Sequence, residues 1–278
     1  MISAKFALFS ILAKPLLKHL GLNYSGKSNG LPSAGTNSAS SLLKIFSNYL
    51  ASSGWVESQN SGMPSRDGLA FPWLTYPAIE LLDKLNLESS LVVEVGSGAS
   101  TIYWSRKTKR VTSFEFDSSW YEKLFSELKG SKNVSLNLIK TDNINRNTTD
   151  PYFLEVLHHI GVFSEEPASS EVLKQELLDI SRCGDFVQSL ISSLKTANVV
   201  LIDGNFRNIC LFMAGIYCQA DSIIILDNSE RDAYKAGRIA LESHGYIEIP
   251  FCGLGPINPY SWTTSIYLKS LRSLDYKK

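Results

Sequence analysis

The feature that most constrains the fold is a short apolar segment followed by a glycine turn, at residues 91–98. Its first five residues, Leu-Val-Val-Glu-Val, form a nearly continuous apolar run, which is typical of a parallel strand covered on both faces. Gly96 and Gly98 allow the backbone to turn sharply and to approach a ligand, and helical spacing resumes at Thr101. A strand, a glycine turn and a helix in this order form the ligand crevice of a doubly wound α/β sheet. The segment therefore predicts that fold.

A second predicted strand, at residues 110–117, ends in two carboxylates. Glu115 lies about 20 residues past the first glycine, where an acid hydrogen-bonds a ribose in dinucleotide-binding folds. Asp117 directly precedes a helical segment and is expected to cap it. Glu115 is therefore the predicted ribose ligand.

Glu94 distinguishes two cofactor classes that share this pattern. In nicotinamide-dependent enzymes a pyrophosphate lies over the helix N-terminus, and a carboxylate two residues before Gly96 would oppose it. The motif of an acid, any residue, Gly, any residue, Gly resembles the first motif of class I S-adenosylmethionine-dependent methyltransferases, although Ser100 stands where many members have a third glycine. The resemblance implies S-adenosylmethionine as the cofactor. The cofactor-binding residues that it implies are Glu94, Gly96, Ser97, Gly98, Glu115 and Asp142.

Further strands are predicted at residues 134–139, 198–203, 222–227, 246–251 and 264–268. Because helical segments separate most of them, they predict a mainly parallel sheet with helices on both faces. The last two strands are joined by a connection too short for a crossover helix, so they must pair antiparallel. The methyltransferase resemblance implies the same hairpin. The predicted fold is a doubly wound, mainly parallel seven-stranded α/β sheet with a C-terminal antiparallel hairpin.

Three segments are predicted along the chain. Residues 1–70 are expected to form N-terminal helices and a flexible linker or cover, because residues 21–41 are rich in Ser, Gly and Asn. Residues 71–270 are the predicted methyltransferase domain, and residues 271–278 are a tail. The long connection at about residues 145–196 is a candidate substrate lid, with a structural insertion or a partner surface as the alternative. Asp142, just before it, is either the adenine ligand or an ordinary loop aspartate.

The chain has 278 residues, with 27 Lys and Arg and 27 Asp and Glu, so no net charge attracts nucleic acid or an anionic membrane. A small-molecule or carbohydrate-like acceptor is therefore expected, with no nucleic acid and no stable membrane insertion. The apolar N-terminus is too short to span a bilayer and fits a docking helix, a membrane-surface segment or a signal peptide. Four cysteines without C-x-x-C spacing predict reduced thiols and a cytoplasmic location. The oligomeric state is left open.

Two more predicted strands end in acids, Asp203 and Asp227, and Asn228 follows the second. Two carboxylates and an amide oxygen are hard ligands that suit Mg²⁺ or Ca²⁺. The arrangement resembles the divalent-metal O-methyltransferases, such as the catechol and caffeoyl-CoA enzymes. The resemblance implies that these three residues hold a cation, which would activate an acceptor hydroxyl. Alternatively, Asp227 and Asn228 begin the next helix, and Asp203 holds the acceptor or the cofactor amine without a metal.

Arg207 marks a departure from that family. The catechol enzyme has a lysine base three residues after the first acid, where this chain has Phe206. Arginine stays protonated and is a poor base, but it can clamp a carboxylate or phosphate. Asp203 and Arg207 are therefore the candidate catalytic residues. The leading hypothesis is an S-adenosylmethionine-dependent O-methyltransferase, and the alternatives are a non-catalytic scaffold with this fold and an NAD-dependent oxidoreductase.

Overall fold

A computed structural model describes residues 39–140, 171–180, 183 and 185–275 of the protein. The helices are α1 (Ala39–Ser52), α2 (Trp55–Ser61), α3 (Tyr76–Lys84), α4 (Ala99–Lys107), α5 (Ser118–Glu127), α6 (Glu171–Ile180), α7 (Phe186–Leu194), α8 (Arg207–Tyr217) and α9 (Lys235–Ser243). The strands are β1 (Ser65–Arg66), β2 (Leu69–Ala70), β3 (Leu91–Val95), β4 (Arg110–Glu115), β5 (Val134–Leu138), β6 (Val199–Ile202), β7 (Ile223–Asp227), β8 (Ile247–Gly253) and β9 (Trp262–Leu268). Short 3₁₀ turns lie at Asp232–Tyr234 and Leu271–Ser273.

Seven of these strands form one sheet, in the order β5-β4-β3-β6-β7-β9-β8. The first five in that order pair in parallel, whereas β9 runs antiparallel to both β7 and β8. The prediction of a mainly parallel seven-stranded sheet with a C-terminal antiparallel hairpin is therefore confirmed. The strand order reverses between β3 and β6, which is the topological switch point at which doubly wound sheets bind ligands.

Helices cover both faces of the sheet, as the fully apolar strands require. Val93 and Val95 of β3 face a core formed with α6, α7, α8 and α9. Val92 faces a second core formed with α3 and α4, around the fully buried Trp104. Because side chains alternate along a strand, Glu94 shares the α4 side of the sheet with Val92.

The β8–β9 hairpin brings its loop to the same sheet edge as the carboxyl ends of the parallel strands. Asp227, the last residue of β7, pairs with Thr264 of β9, and Gly253 at the end of β8 pairs with Trp262. Residues 254–261 consequently border the crevice edge. Sequence reasoning had used this hairpin only to define topology.

The helices before the sheet hold the hairpin loop in place. The indole nitrogen of Trp55 donates a hydrogen bond to the carbonyl of Asn258 at 3.1 Å, and the backbone N–H of Tyr76 donates to Leu254 at 2.7 Å. Thr75 immediately precedes α3, and its hydroxyl donates to the carbonyl of Phe251 and does not cap the helix. Within the described ranges, no helix has the length and apolar character needed to cross a membrane.

Candidate functional site

The glycine turn, residues 96–98, lies at the switch point in direct contact with the turn that follows β6. Gly96 has a φ of +93°, and a Cβ atom there would lie 2.5 Å from the backbone nitrogen of Gly204. Any side chain at either position would push the two strand ends apart. Gly96 is thus required by the neighbouring turn, a constraint that the sequence pattern did not reveal.

Glu115 is bound to the glycine turn through its carboxylate. Its Oε2 accepts a hydrogen bond from the N–H of Ser97 at 2.9 Å, and its Oε1 accepts from the N–H groups of Phe116 and Asp117. A carboxylate offers about four acceptor positions, so these three bonds leave capacity for one more donor. Glu115 is 7% exposed and ends β4, at the sheet edge where ligands of doubly wound sheets bind.

Glu94 lies beneath the turn and is completely buried. The hydroxyls of Thr101 and Ser113 each donate to its Oε2 at 2.6 Å. Burial raises the pKa of Glu94 to about 7, and the hydroxyls of Ser100, Ser113 and Thr101 oppose that rise. The carboxyl therefore connects β3, β4 and the start of α4 behind the glycine turn.

Trp120 is a functional candidate that sequence reasoning missed. Its indole nitrogen donates to the carbonyl of Ser97 at 2.8 Å, so α5 also holds the glycine turn. The prediction that Asp117 caps this helix is confirmed, since its Oδ1 accepts from the N–H of Trp120. No sequence pattern could reveal the indole contact, because its acceptor is a backbone carbonyl in another loop.

Arg207 connects the ends of β6 and β7. Its Nη2 forms an ion pair with Oδ1 of Asp203 at 3.0 Å and donates to the Asp203 carbonyl at 2.7 Å. Its Nη1 donates to the carbonyl of Asp227 at 2.6 Å and to Oδ1 of Asn228 at 3.4 Å, and its Nε donates to the carbonyl of Gly204 at 3.0 Å. The structure therefore brings together the four residues that the sequence analysis placed after β6 and β7. These are Asp203, Arg207, Asp227 and Asn228.

The two aspartates differ in their access to the crevice. Asp227 is buried, and its Oδ1 accepts from the indole of Trp262 at 2.9 Å and the hydroxyl of Thr264 at 2.6 Å. The side chain of Asp203 is 28% exposed. Asp203 is therefore the strand-end carboxylate that a ligand in the crevice can reach.

Burial raises the pKa of both aspartates. For Asp203 the negative charge of Glu94 adds to the rise, while Arg207 opposes it. For Asp227 the charge of Asp203 adds to the rise, and the hydrogen bonds from Thr264 and Trp262 oppose it. Like-charge repulsion therefore links Glu94 to Asp203 and Asp203 to Asp227, although these residues are far apart in sequence.

The residues present do not fit the metal site that the sequence resemblance implied. The guanidinium of Arg207 contacts a carboxylate oxygen of Asp203 and the amide oxygen of Asn228, two of the oxygens that were expected to face a cation. The carboxylate of Asp227, the third expected ligand, accepts hydrogen bonds from Trp262 and Thr264. In the described part of the chain, no group of three or more His, Cys, Asp or Glu residues could hold a metal ion. The expectation of Mg²⁺ or Ca²⁺ at these residues is therefore not supported.

Glu176 is a second candidate that the sequence did not indicate. It projects from α6, in the predicted insertion, to the first turn of α8. Its carboxylate accepts from the side-chain amide of Asn208 at 3.1 Å and from the N–H of Ile209 at 3.1 Å. Burial raises the pKa of Glu176 to about 7. The predicted adenine ligand Asp142 lies outside the described residues, so its placement stays a prediction.

No family model and no curated protein sequence matches the chain. Among solved structures, it is similar to precorrin-6y C5,15-methyltransferase from Geobacter metallireducens, with 13% identity over 68% of this chain and 87% of that one and a TM-score of 0.41. It is also similar to Aeropyrum pernix fibrillarin in complex with S-adenosyl-L-methionine (12% identity, 65% of this chain and 66% of that one, TM-score 0.40). A third is an rRNA methylase from Streptococcus thermophilus (14% identity, 68% and 92%, TM-score 0.38). Likenesses at this level carry no argument about the activity of this chain.

The prediction that excluded nucleic acid in favour of a small or carbohydrate-like acceptor is wrong. The similar solved structures include an rRNA methylase and a fibrillarin described as a pre-rRNA processing protein, and the exclusion of nucleic acid is withdrawn. The prediction relied on the zero net charge of the whole chain. Net charge over a whole chain does not describe the potential at one surface.

Proposed function

We propose that the protein is an S-adenosylmethionine-dependent methyltransferase. The observation that supports this most directly is the position of the glycine turn, which lies at the switch point of the sheet with Glu115 beside it and Glu94 beneath it. Ligands of doubly wound sheets bind outside the carboxyl ends of the strands at this point. The sequence motif around Gly96 resembles that of the methyltransferases.

The residues at the switch point fit this cofactor. Glu115 can accept one more hydrogen bond at the crevice edge, as a ribose hydroxyl requires. Gly96 and Gly98 place no side chain at the turn, and the hydroxyl of Ser97 between them is bonded to that of Ser113. Glu94 lies behind the turn and is bonded to Thr101 and Ser113, so we assign it the role of holding the turn and the start of α4 in place.

S-adenosylmethionine supplies an electrophilic methyl group bonded to a positively charged sulfur. When the acceptor atom forms its new bond to that methyl and the sulfur–methyl bond breaks, a proton bound to the acceptor must leave. We assign Asp203 the role of receiving that proton, because its carboxylate reaches the crevice and burial raises its pKa toward the value that a general base needs. Orientation and exclusion of water supply the remaining catalysis.

Calorimetry with S-adenosylmethionine and with its demethylated product, S-adenosylhomocysteine, tests the cofactor. We expect both to bind the wild-type protein and binding to be lost in Glu115→Ala. Glu127→Ala, on the exposed face of the next helix, is the matched control and should bind normally. Absence of binding by the folded wild-type protein would reject the proposal, and binding of NAD in its place would favour an oxidoreductase.

Transfer of a labelled methyl group to a cell extract tests catalysis and identifies the acceptor. After incubation, the label is separated into nucleic acid, protein and low-molecular-weight fractions. We propose that it resides on oxygen, and analysis of the methylated product distinguishes an oxygen from a nitrogen or carbon linkage. Asp203→Asn should bind the cofactor but transfer the label at least about 100-fold more slowly, which is the usual contribution of a general base. Cofactor binding without transfer to any fraction would favour a scaffold.

A further inference from the structure

The positive charge at the ends of β6 and β7 is supplied by the protein itself. A guanidinium has five N–H donors in a fixed plane, and Arg207 directs them at five oxygen atoms from the two strand-end turns. The ring of Tyr234 covers the guanidinium, with its centroid 5.0 Å from Cζ. Only 11% of the Arg207 side chain is exposed.

This arrangement differs from that of a substrate clamp. An arginine that binds a carboxylate or phosphate of the acceptor must present two adjacent N–H groups to it. In Arg207 these groups are engaged by Asp203 and by the carbonyl of Asp227. Its geometry is that of a positioning residue, which fixes the ends of two neighbouring strands.

We infer that the Arg207 guanidinium takes the place of a divalent cation at this sheet edge, and that the native protein binds no Mg²⁺ there. The oxygens of Asp203 and Asn228 that a cation would need are directed at the guanidinium. A second cation a few ångströms from Arg207 would be repelled by it. Oδ1 of Asp227 already receives two hydrogen bonds, from Trp262 and Thr264.

On the proposed function, a reaction without a metal must remove the acceptor proton in another way. A bound metal would lower the pKa of an acceptor hydroxyl and align it. Arg207 can do neither, because its donors are engaged within the protein. It holds Asp203 at the crevice edge, so the proton would pass to this carboxylate and not to a metal-activated group.

Titration with Mn²⁺, monitored by the electron paramagnetic resonance signal of the ion, tests the inference and needs no methyl acceptor. We expect no binding to the wild-type protein at millimolar Mn²⁺. Arg207→Ala removes the guanidinium and leaves the oxygen atoms, so it should gain a Mn²⁺ site and show a higher Tm when Mn²⁺ is added. Adding Asp203→Asn to Arg207→Ala should abolish the gain. Arg231→Ala is the matched control, because Arg231 also influences Asp203 but lies exposed, and it should gain no site.

Two results would overturn the inference. One is Mn²⁺ binding by the wild-type protein that Asp203→Asn abolishes. The other is folded Arg207→Ala that gains no Mn²⁺ site. If Arg207→Ala folds only when Mn²⁺ is present, the inference is supported. If Arg207→Ala does not fold at all, the wild-type titration and the variant Arg207→Lys decide it. Arg207→Lys keeps the positive charge and should bind no Mn²⁺. Binding of S-adenosylhomocysteine to the wild-type protein is measured separately, so failure of the metal inference and failure of the proposed cofactor are distinguishable.

Discussion

Gly96 and Gly204 are in backbone contact where the strand order of the sheet reverses. A Cβ on Gly204 would lie 2.7 Å from both the Cα and the nitrogen of Gly96. Loops leaving β3 and β6 usually diverge at a switch point and leave a crevice between them. In this protein Gly96, the first residue after β3, touches Gly204, the second residue after β6, so two glycine backbones meet at the switch point.

Replacing Gly96 should therefore cost more than its backbone conformation explains. Gly130 provides the comparison, because its φ is +106° and a Cβ there would meet nothing within 4 Å. We expect Gly130→Ala to lower the free energy of unfolding by roughly 1–2 kcal/mol. Gly96→Ala should lose a further 1–3 kcal/mol, approximately, because its methyl group overlaps the Gly204 backbone. Urea unfolding of both variants measures the difference, and equal losses would mean that the contact is absent.

Glu94 should make stability fall between about pH 4.5 and 7. Its pKa is about 7 in the folded protein against an ordinary value of 4.5, so the folded state binds the proton more tightly. The contribution of Glu94 to the free energy of unfolding is therefore greatest below pH 4.5 and falls as the pH rises through the folded-state pKa. The total fall is about 3 kcal/mol for this fully buried group. Glu94→Gln keeps the neutral shape and should remove this contribution in urea unfolding measured at several pH values. The exposed Glu127→Gln should leave the pH dependence unchanged, and a similar curve for both variants would contradict the assignment.

Glu176 should hold the N-terminus of α8. Its removal leaves the N–H groups of Asn208 and Ile209 without their carboxylate acceptor in a buried setting. We expect Glu176→Ala to lower the free energy of unfolding by about 2–4 kcal/mol. Hydrogen exchange should accelerate first at these two amides. Gln175→Ala, on the exposed side of α6, is the control and should change neither quantity; unchanged exchange in Glu176→Ala would show that the helix end does not depend on it.

Trp262 should stabilise the ionised form of Asp227. Trp262→Phe removes the indole donor to Oδ1 but retains an aromatic ring, and hydrogen bonds to charged groups contribute about 1.5–3 kcal/mol. The loss in stability should be larger at pH 8 than at pH 5, because the donor favours the charged carboxylate and burial raises its pKa. Trp73→Phe removes an exposed indole and should cost little at either pH. Equal losses of stability in Trp262→Phe at both pH values would mean that Trp262 stabilises the protein through packing and not through the hydrogen bond to Asp227.

The fold was predictable because its signals are local. The apolar run at β3, the glycine turn and the alternating β4 each predict their own structure within a few residues. The antiparallel hairpin followed from the length of its connection, which excludes a crossover helix. The predicted bounds of the central strands lie within two residues of those in the structure, and β9 begins two residues earlier than predicted.

The site was only partly predictable, because the partners of its residues are distant in sequence. Parallel strands bring their carboxyl ends to one edge, so the meeting of Asp203 with Asp227 could be inferred. Whether these oxygens bind a metal ion or a guanidinium could not be inferred from the sequence. Arg207 lies four residues after Asp203, and the direction of its side chain depends on how α8 packs against β6.

The sequence by itself determined the strand–turn–helix motif, the mainly parallel sheet with its antiparallel hairpin and the group of acids at its edge, since these follow from periodicity, glycine positions, connection length and strand ends. Only the tertiary structure decided that Gly96 is constrained by Gly204, that Arg207 lies among the oxygens expected to bind a metal, and that Glu176 caps α8. The physical reason is that each of these depends on the distance between atoms of separate elements. Packing sets such distances, and no local pattern encodes them.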